Sequence, residues 1–133
     1  MQYIQVVKLK PTMAYILLVE DDNDLRAMLK SSLEKNRYTV IEASNGREAL
    51  QKFKPLLTDL VITDLLMPEQ DGIGLIMEIK KIKPEVKVIA ISGGGKAGPS
   101  NYLSIAETLG ADAVFAKPFS LTSFIEKVSS IIG

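Results

Sequence analysis

Five short apolar segments alternate along this chain with five segments whose apolar residues recur at helical spacing. The apolar segments occupy positions 15–19, 39–43, 60–63, 86–91 and 113–116. Several are apolar along nearly their whole length, as expected for parallel strands buried on both faces. Strand–helix alternation with right-handed crossovers predicts an α/β fold: a three-layer, doubly wound (βα)5 domain with a five-stranded parallel sheet.

Capping signals indicate where the predicted helices begin and end. Asn45 is placed to cap the second helix, which must end before Pro55. The third helix stops at Pro84, and Gly110 suits the C-terminal end of the fourth. The last helix has the most regular apolar spacing, at Leu121, Phe124, Ile125, Val128 and Ile131.

Residues 1–13 stand apart from this pattern, because Pro11 separates them from the first strand. We expect an N-terminal extension that is loosely ordered, or a mis-assigned start at Met1, with the domain itself at 14–133. The alternative is a short extra strand over 3–9, where Ile4, Val6 and Val7 favour β structure.

Composition excludes several function classes. The 133 residues include no cysteine and no histidine, so thiol chemistry, disulfides and the usual general base and zinc ligand are absent. Sixteen basic and sixteen acidic side chains give zero net charge, which argues against direct binding to nucleic acid. No apolar run approaches the ~20 residues of a membrane helix, and no signal peptide is recognisable. We therefore expect a cytoplasmic protein with no membrane partner.

Polar residues follow four of the five predicted strands. They are Glu20, Asp21 and Asp22 after the first strand, Asp64 after the third, Ser92 after the fourth, and Lys117 after the fifth. Ligands of open parallel sheets bind beyond the carboxyl ends of the strands. We therefore expect these side chains to converge on one rim of the domain.

Each residue also has an ordinary alternative role. Asp22, Asn23 and Asp24 are better explained as capping residues of the first helix than as ligands. Asp64 alone could be a turn residue, and Lys117 alone a surface charge. The combination is harder to explain in that way, because crowded carboxylates repel each other unless a cation lies among them. A hard ion that keeps several waters fits such a site, which favours magnesium over calcium.

The chemistry that fits this set is phosphoryl transfer to a carboxylate. Asp64 is a feasible nucleophile that would form an aspartyl phosphate. Ser92 could donate a hydrogen bond to one phosphoryl oxygen and Lys117 could pair with another, so no general base is required. Because the chain has no histidine, phosphate relayed from a histidine must come from another protein.

Four motifs in this order closely resemble the receiver domains of two-component response regulators, over residues 14–132. They are ILLVEDD at 16–22, VITDLLMPEQDG at 61–72, VIAIS at 88–92 and FAKPF at 115–119. The resemblance implies a flavodoxin-like sheet with strand order 2-1-3-4-5 and a phosphoacceptor signalling domain rather than an enzyme. It implies a magnesium cofactor, a histidine kinase or histidine phosphotransfer domain as phosphodonor, and a homodimer through the fourth helix, fifth strand and fifth helix.

The resemblance also implies roles for individual residues. Asp64 matches the phosphoacceptor, Asp21 the direct metal ligand, and Glu20 its partner acting through water. The backbone carbonyl of Leu66 matches the group that completes the metal site.

The remaining matched positions surround the acceptor. Ser92 matches the switch hydroxyl, and Lys117 matches the family's lysine, with a cis bond expected to Pro118. Pro68 and Gly72 match residues that shape the loop after the acceptor.

One position departs from the family pattern. The family commonly has an aromatic residue three positions before the lysine, and here that residue is Val114. Alternation along the strand sends its neighbour Phe115 to the other face. We expect the signal to pass instead through the glycine-rich segment 93–99.

Three other functional classes share part of this pattern. A phosphatase of the haloacid-dehalogenase class needs a second aspartate two residues after the nucleophile, where this chain has Leu66. A nucleotide-binding loop at 93–96 lacks the required Ser or Thr, because Lys96 is followed by Ala97. The alternative that stays open is a pseudo-receiver, an interaction module with the same fold that is not phosphorylated.

Overall fold

The computed structural model describes residues 14–67, 72–93 and 99–133, in which five strands alternate with five helices. The strands are β1 (Tyr15–Val19), β2 (Thr39–Ala43), β3 (Thr58–Asp64), β4 (Lys87–Ser92) and β5 (Ala113–Ala116). The helices are α1 (Asn23–Lys35), α2 (Gly46–Lys52), α3 (Gly72–Ile82), α4 (Pro99–Thr108) and α5 (Leu121–Ile132). Both β3 and β4 extend one residue past their predicted ends, so that Asp64 and Ser92 are the last residues of their strands.

The sheet is parallel throughout, with strand order β2-β1-β3-β4-β5. The α/β class, the (βα)5 pattern and the strand order implied by the resemblance are therefore confirmed. The expectations for residues 1–13 and for Pro68 concern positions outside the described residues. Within the described ranges, no helix is long and apolar enough to cross a membrane.

Two apolar clusters lie on opposite faces of the sheet. On one face, alternate strand residues such as Leu17, Val61 and Val88 pack against α2, α3 and α4. On the other, Ile16, Leu18 and Ile62 pack against α1 and α5 through residues that include Leu29, Leu33, Phe124 and Val128. Residues 16–19 of β1 are at most 1% exposed although their side chains alternate between the two faces, which explains why this segment is continuously apolar.

Polar side chains cap the helices that begin near the rim. Asp22 Oδ1 accepts hydrogen bonds from the amides of Asp24 and Leu25, at 3.0 and 3.1 Å. Asn45 Oδ1 accepts from the amide of Glu48 at 2.8 Å. Both caps were predicted from the sequence. Because Asp22 is used in this way, the acids left for the site are Glu20, Asp21 and Asp64.

Gly72 begins α3 where the helix meets the end of β3. A Cβ atom at this position would lie 2.3 Å from the carbonyl oxygen of Asp64 and 2.7 Å from Leu65 Cα. The amide of Gly72 donates to the carbonyl of Leu65 at 3.1 Å. Only a residue without a side chain allows this contact, so Gly72 fixes how closely α3 approaches the backbone of the candidate acceptor.

We predict that Gly72→Ala lowers the free energy of unfolding by about 3 kcal/mol, since its methyl group meets backbone atoms that cannot move aside. Gly110→Ala is the control: Gly110 has φ +101°, and its Cβ would meet the flexible end of the Lys80 side chain, at 3.5 Å from Cε and 3.8 Å from Nζ. That variant should lose only the ~1 kcal/mol of a left-handed backbone. Urea denaturation measures both, and equal losses would contradict the close contact at Gly72.

Candidate functional site

Backbone hydrogen bonds continue the pairing of the sheet beyond the strands and so position the rim residues. The amide of Glu20 donates to Ala43 O at 3.0 Å, that of Leu65 to Ile91 O at 2.8 Å, and that of Lys117 to Ser92 O at 2.8 Å. Because each donor belongs to or follows a predicted site residue, the sheet itself brings Glu20, Asp64, Ser92 and Lys117 together.

The ammonium group of Lys117 lies between two buried carboxylates. Its Nζ donates a 2.8 Å hydrogen bond to Asp64 Oδ2 and lies 3.1 Å from Glu20 Oε1. The side chains of Glu20 and Asp64 are 1% and 4% exposed, and that of Lys117 is 26% exposed. Lys117 is therefore an internal counter-ion rather than a solvated surface charge.

The other oxygens of the two carboxylates accept backbone amides. Glu20 Oε2 accepts from the amide of Asp22 at 3.0 Å, and Asp64 Oδ1 accepts from the amide of Leu66 at 3.1 Å. Both carboxylates are thus oriented by the loops that follow their own strands. The bond from Leu66 also places its peptide group beside the acceptor carboxylate.

Asp21 completes a cluster of three acids. Oxygen atoms of Glu20, Asp21 and Asp64 lie within 4.8 Å of one another, with Asp21 exposed and the other two buried. This donor set is all oxygen and anionic, and it opens to solvent on the side of Asp21. It therefore fits a hard divalent cation such as Mg2+ that keeps part of its water shell.

Ser92 is fully buried at the end of β4, and its carbonyl accepts the amide of Lys117. Within the described part of the chain, its Oγ has no hydrogen-bond partner. A buried hydroxyl without a partner costs free energy, so it marks a place where a ligand oxygen would be stabilising. The next residue, Gly93, packs under Lys117, because a Cβ atom there would lie 2.8 Å from Lys117 Cδ.

Burial raises the pKa of Glu20 from 4.5 to about 7, and the charge of Asp64 adds to the shift against the opposing bonds from Asp22 and Lys117. For Lys117, burial lowers the pKa, but the hydrogen bonds and charges of Asp64 and Glu20 outweigh it and hold the pKa above its usual value. The site therefore retains its lysine charge while Glu20 titrates near neutral pH.

The two adjacent acids after β1 differ in depth. Glu20 is enclosed between Lys117 and the backbone, while Asp21 faces solvent.

Arg26 was missed by the sequence analysis. Its Nη1 donates to the carbonyl oxygen of Glu20 at 2.7 Å, and its Nε pairs with Glu42 at 3.2 Å. The only sequence signal is a basic residue one turn into α1, which is common on exposed helix faces. Its contact with a backbone atom could not be read from the pattern.

Two further expectations concern β5 and the loop that follows it. The peptide bond between Lys117 and Pro118 is cis, as the resemblance implied. Val114 packs on the face covered by α4, while Phe115 lies on the opposite face in edge-on contact with Phe119 and Phe124, confirming the expected alternation.

Comparisons with known proteins agree with this geometry. Residues 16–129 match the family model described as the response regulator receiver domain. The chemotaxis protein CheY of Thermotoga maritima is 38% identical over 117 residues, covering 87% of this chain and 95% of its own. CpdR of Brucella abortus, a response regulator receiver protein, is 34% identical and covers 90% and 98%. The structure of response regulator TrrA from Thermotoga maritima, in complex with Mg2+ and BeF, has a TM-score of 0.78, 35% identity and coverage of 90% and 99%.

The raised pKa of Glu20 predicts a pH-dependent stability in chelator. Between pH 4.5 and about 7 the folded protein holds a proton that the unfolded chain has released, so the free energy of unfolding falls as pH rises. At ~1.4 kcal/mol per pKa unit, the loss is up to about 3 kcal/mol. We expect Glu20→Gln to remove this part of the pH slope in urea denaturation across that range. Parallel pH slopes for the two proteins would contradict the assignment.

Proposed function

The chain belongs to the response regulator receiver domain family, and from that premise we propose that it is a phosphorylation-dependent signalling switch whose acceptor is Asp64. The observation that carries this proposal is the convergence of Asp64 with Lys117, Glu20 and Asp21 next to the unpartnered hydroxyl of Ser92. Receiver domains are signalling domains rather than classical enzymes. In this chain the site would promote its own phosphorylation and dephosphorylation.

In the proposed step, a carboxylate oxygen of Asp64 forms a bond to phosphorus while the P–N bond of a phosphohistidine breaks. Lys117 already contacts Asp64 Oδ2 and can pair with a phosphoryl oxygen as charge moves from the donor to Asp64. Ser92 Oγ can donate to another phosphoryl oxygen, which would satisfy its hydrogen-bonding capacity. No side chain has to remove a proton, so the absence of histidine is no obstacle.

Glu20, Asp21, Asp64 and the backbone carbonyl of Leu66 are the groups that would hold Mg2+, with Glu20 acting through water. When bound, the ion would offset negative charge between the acid cluster and the phosphoryl group. The ion would reach the site from the solvent side, where the carboxylate of Asp21 is exposed. The carboxylates of Glu20 and Asp64 lie buried on the inner side of the cluster.

The phosphodonor would be a histidine kinase or a histidine phosphotransfer domain. Such a donor must bring its phosphorus atom to Asp64, so its surface must cover the rim around Lys117. An apolar groove of about 290 Å³ borders Lys117 there and includes Leu25, Met28 and Phe119. Met28 is 48% exposed, and we propose that the donor's helical surface contacts this groove.

The output surface would be the face formed by α4, β5 and α5, which could also mediate a homodimer. Val114 has no large side chain to exchange between buried and exposed rotamers, and Phe115 is held in the opposite cluster. We therefore propose that a pull on Ser92 acts on the backbone that follows it. Residues 94–98 of that segment lie outside the described ranges.

We also propose that the receiver domain spans 14–133 and that residues 1–12 are dispensable for it. The five strands and both apolar clusters consist of described residues at or after position 14. Deleting residues 1–12 should leave the thermal midpoint within about 2 °C of wild type. A loss of several degrees in a thermal unfolding scan would contradict the proposal and favour the added strand.

Phosphorylation gives the test of the function itself. Wild type incubated with acetyl phosphate and Mg2+ should gain the mass of one phosphoryl group, and Asp64→Asn should gain none. Asp59→Asn is the matched control: Asp59 is on the same strand and accepts from the Tyr15 amide at the far end of the sheet, so this variant should be labelled normally. Lys117→Gln should be labelled roughly 100-fold more slowly.

Intact-mass measurement with and without chelator decides between the open functions. Equal labelling of wild type and Asp64→Asn would refute the acceptor assignment. A wild type that takes up no phosphate from acetyl phosphate or from any phosphohistidine donor would favour the pseudo-receiver.

A further inference from the structure

Arg26 makes three side-chain contacts that together bridge α1, β2 and the acidic loop. Its Nη1 donates to the carbonyl oxygen of Glu20 at 2.7 Å, its Nη2 to Asn23 Oδ1 at 2.8 Å, and its Nε to Glu42 Oε1 at 3.2 Å. The Arg26 side chain is only 17% exposed. A guanidinium that uses all three of its nitrogens in this way is held in one orientation.

The hydrogen bond from Arg26 to the Glu20 carbonyl also orients the peptide group that leads into Asp21. The carbonyl of Glu20 and the amide of Asp21 belong to the same planar peptide group. The amide of Glu20 is itself bonded to Ala43 on β2. The backbone is therefore anchored on both sides of Glu20, and the peptide plane that leads into Asp21 is set by Arg26.

Asp21 needs this kind of support more than the other acids do. Glu20 and Asp64 each receive a backbone amide and the ammonium of Lys117. Asp21 is exposed, and no hydrogen bond or ion pair to its side chain is found among the described residues. Its position relative to the other two carboxylates depends on the main chain that carries it.

We propose that Arg26 is a positioning residue for the metal site: it orients the Glu20–Asp21 peptide and thereby places the Asp21 carboxylate for Mg2+ binding. The proposal rests on the proposed function, because it assumes that this acid cluster binds the ion. Groups that orient metal ligands without touching the metal commonly change affinity by 10- to 100-fold.

Glu42 helps to hold the Arg26 side chain in its position. It holds the guanidinium from the edge strand β2, and its own backbone carbonyl accepts a 2.7 Å hydrogen bond from Lys52 Nζ of α2. The Glu42 side chain is 39% exposed, so the ion pair with Arg26 contributes little to global stability. Its removal should release Arg26 without unfolding the domain.

A simple electrostatic role makes the opposite prediction from a positioning role. Arg26 is a cation near a cation-binding site, so losing its charge alone should strengthen Mg2+ binding. Losing its hold on the Glu20 carbonyl should weaken Mg2+ binding. The sign of the change in affinity therefore separates the two roles.

The experiment measures the dissociation constant of Mg2+ by isothermal titration calorimetry on the full chain. Arg26→Gln should raise it about 10-fold. Arg26→Lys keeps the positive charge but cannot make the three guanidinium contacts, and it should raise the dissociation constant by a smaller factor, roughly 3-fold. Lys30→Gln is the control: Lys30 is one turn further along α1 and forms an ion pair with Glu34, so that variant should bind Mg2+ as wild type or slightly more tightly. Thermal unfolding in chelator should differ little among the four proteins.

The outcomes separate this proposal from the one it rests on. If wild type binds Mg2+ and Arg26→Gln binds it equally or more tightly, the positioning role is refuted while the proposed function stands. If wild type binds no Mg2+, the metal site is refuted and this role with it. Should Arg26→Gln fail to fold, Arg26→Lys decides alone, because it leaves the charge unchanged, and an unchanged affinity in that folded variant overturns the proposal.

Discussion

The site depends on one buried ammonium group shared by two buried carboxylates. Lys117 Nζ lies 2.8 Å from Asp64 and 3.1 Å from Glu20, and without it both acids would be left uncompensated below the surface. Removing one partner of a buried charge pair costs several kcal/mol, because the remaining charge keeps its desolvation penalty. The sheet makes the arrangement possible, since β1, β3 and β5 deliver the three side chains to one rim at fixed spacing.

Much of this could be predicted from the sequence because parallel strands obey a simple rule. Residues that follow the strands must meet at the carboxyl edge of the sheet, so the sequence alone assigns Glu20, Asp64 and Lys117 to one site. The strand ends were less accurate. Backbone pairing continues through Asp64 and Ser92, because hydrogen bonding to neighbouring strands, rather than side-chain polarity, decides where a strand stops.

Two features of the site could not be predicted from the sequence: how deeply each acidic side chain is buried, and which side chains bind backbone atoms. The adjacent acids Glu20 and Asp21 look equivalent in the sequence, yet one is buried and the other exposed. Their difference follows from side-chain direction at the end of β1, which the periodicity does not specify. Arg26 was missed for a related reason: its partner is the carbonyl of Glu20, and every residue has a carbonyl.

Charge balance favours a divalent cation beside the lysine. Three ionised carboxylates and one ammonium give the cluster a formal charge of −2. Converting Asp64 to an acyl phosphate makes it more negative, because a phosphoryl group carries roughly −1.5 to −2 at neutral pH. Burial of Glu20 already raises its pKa to about 7, so the protein limits the excess by partial protonation when no cation is present. A divalent cation relieves the same excess without protonating Glu20. It would therefore stabilise the fully ionised cluster, and in the proposed phosphorylation of Asp64 it would leave Lys117 available to pair with a phosphoryl oxygen.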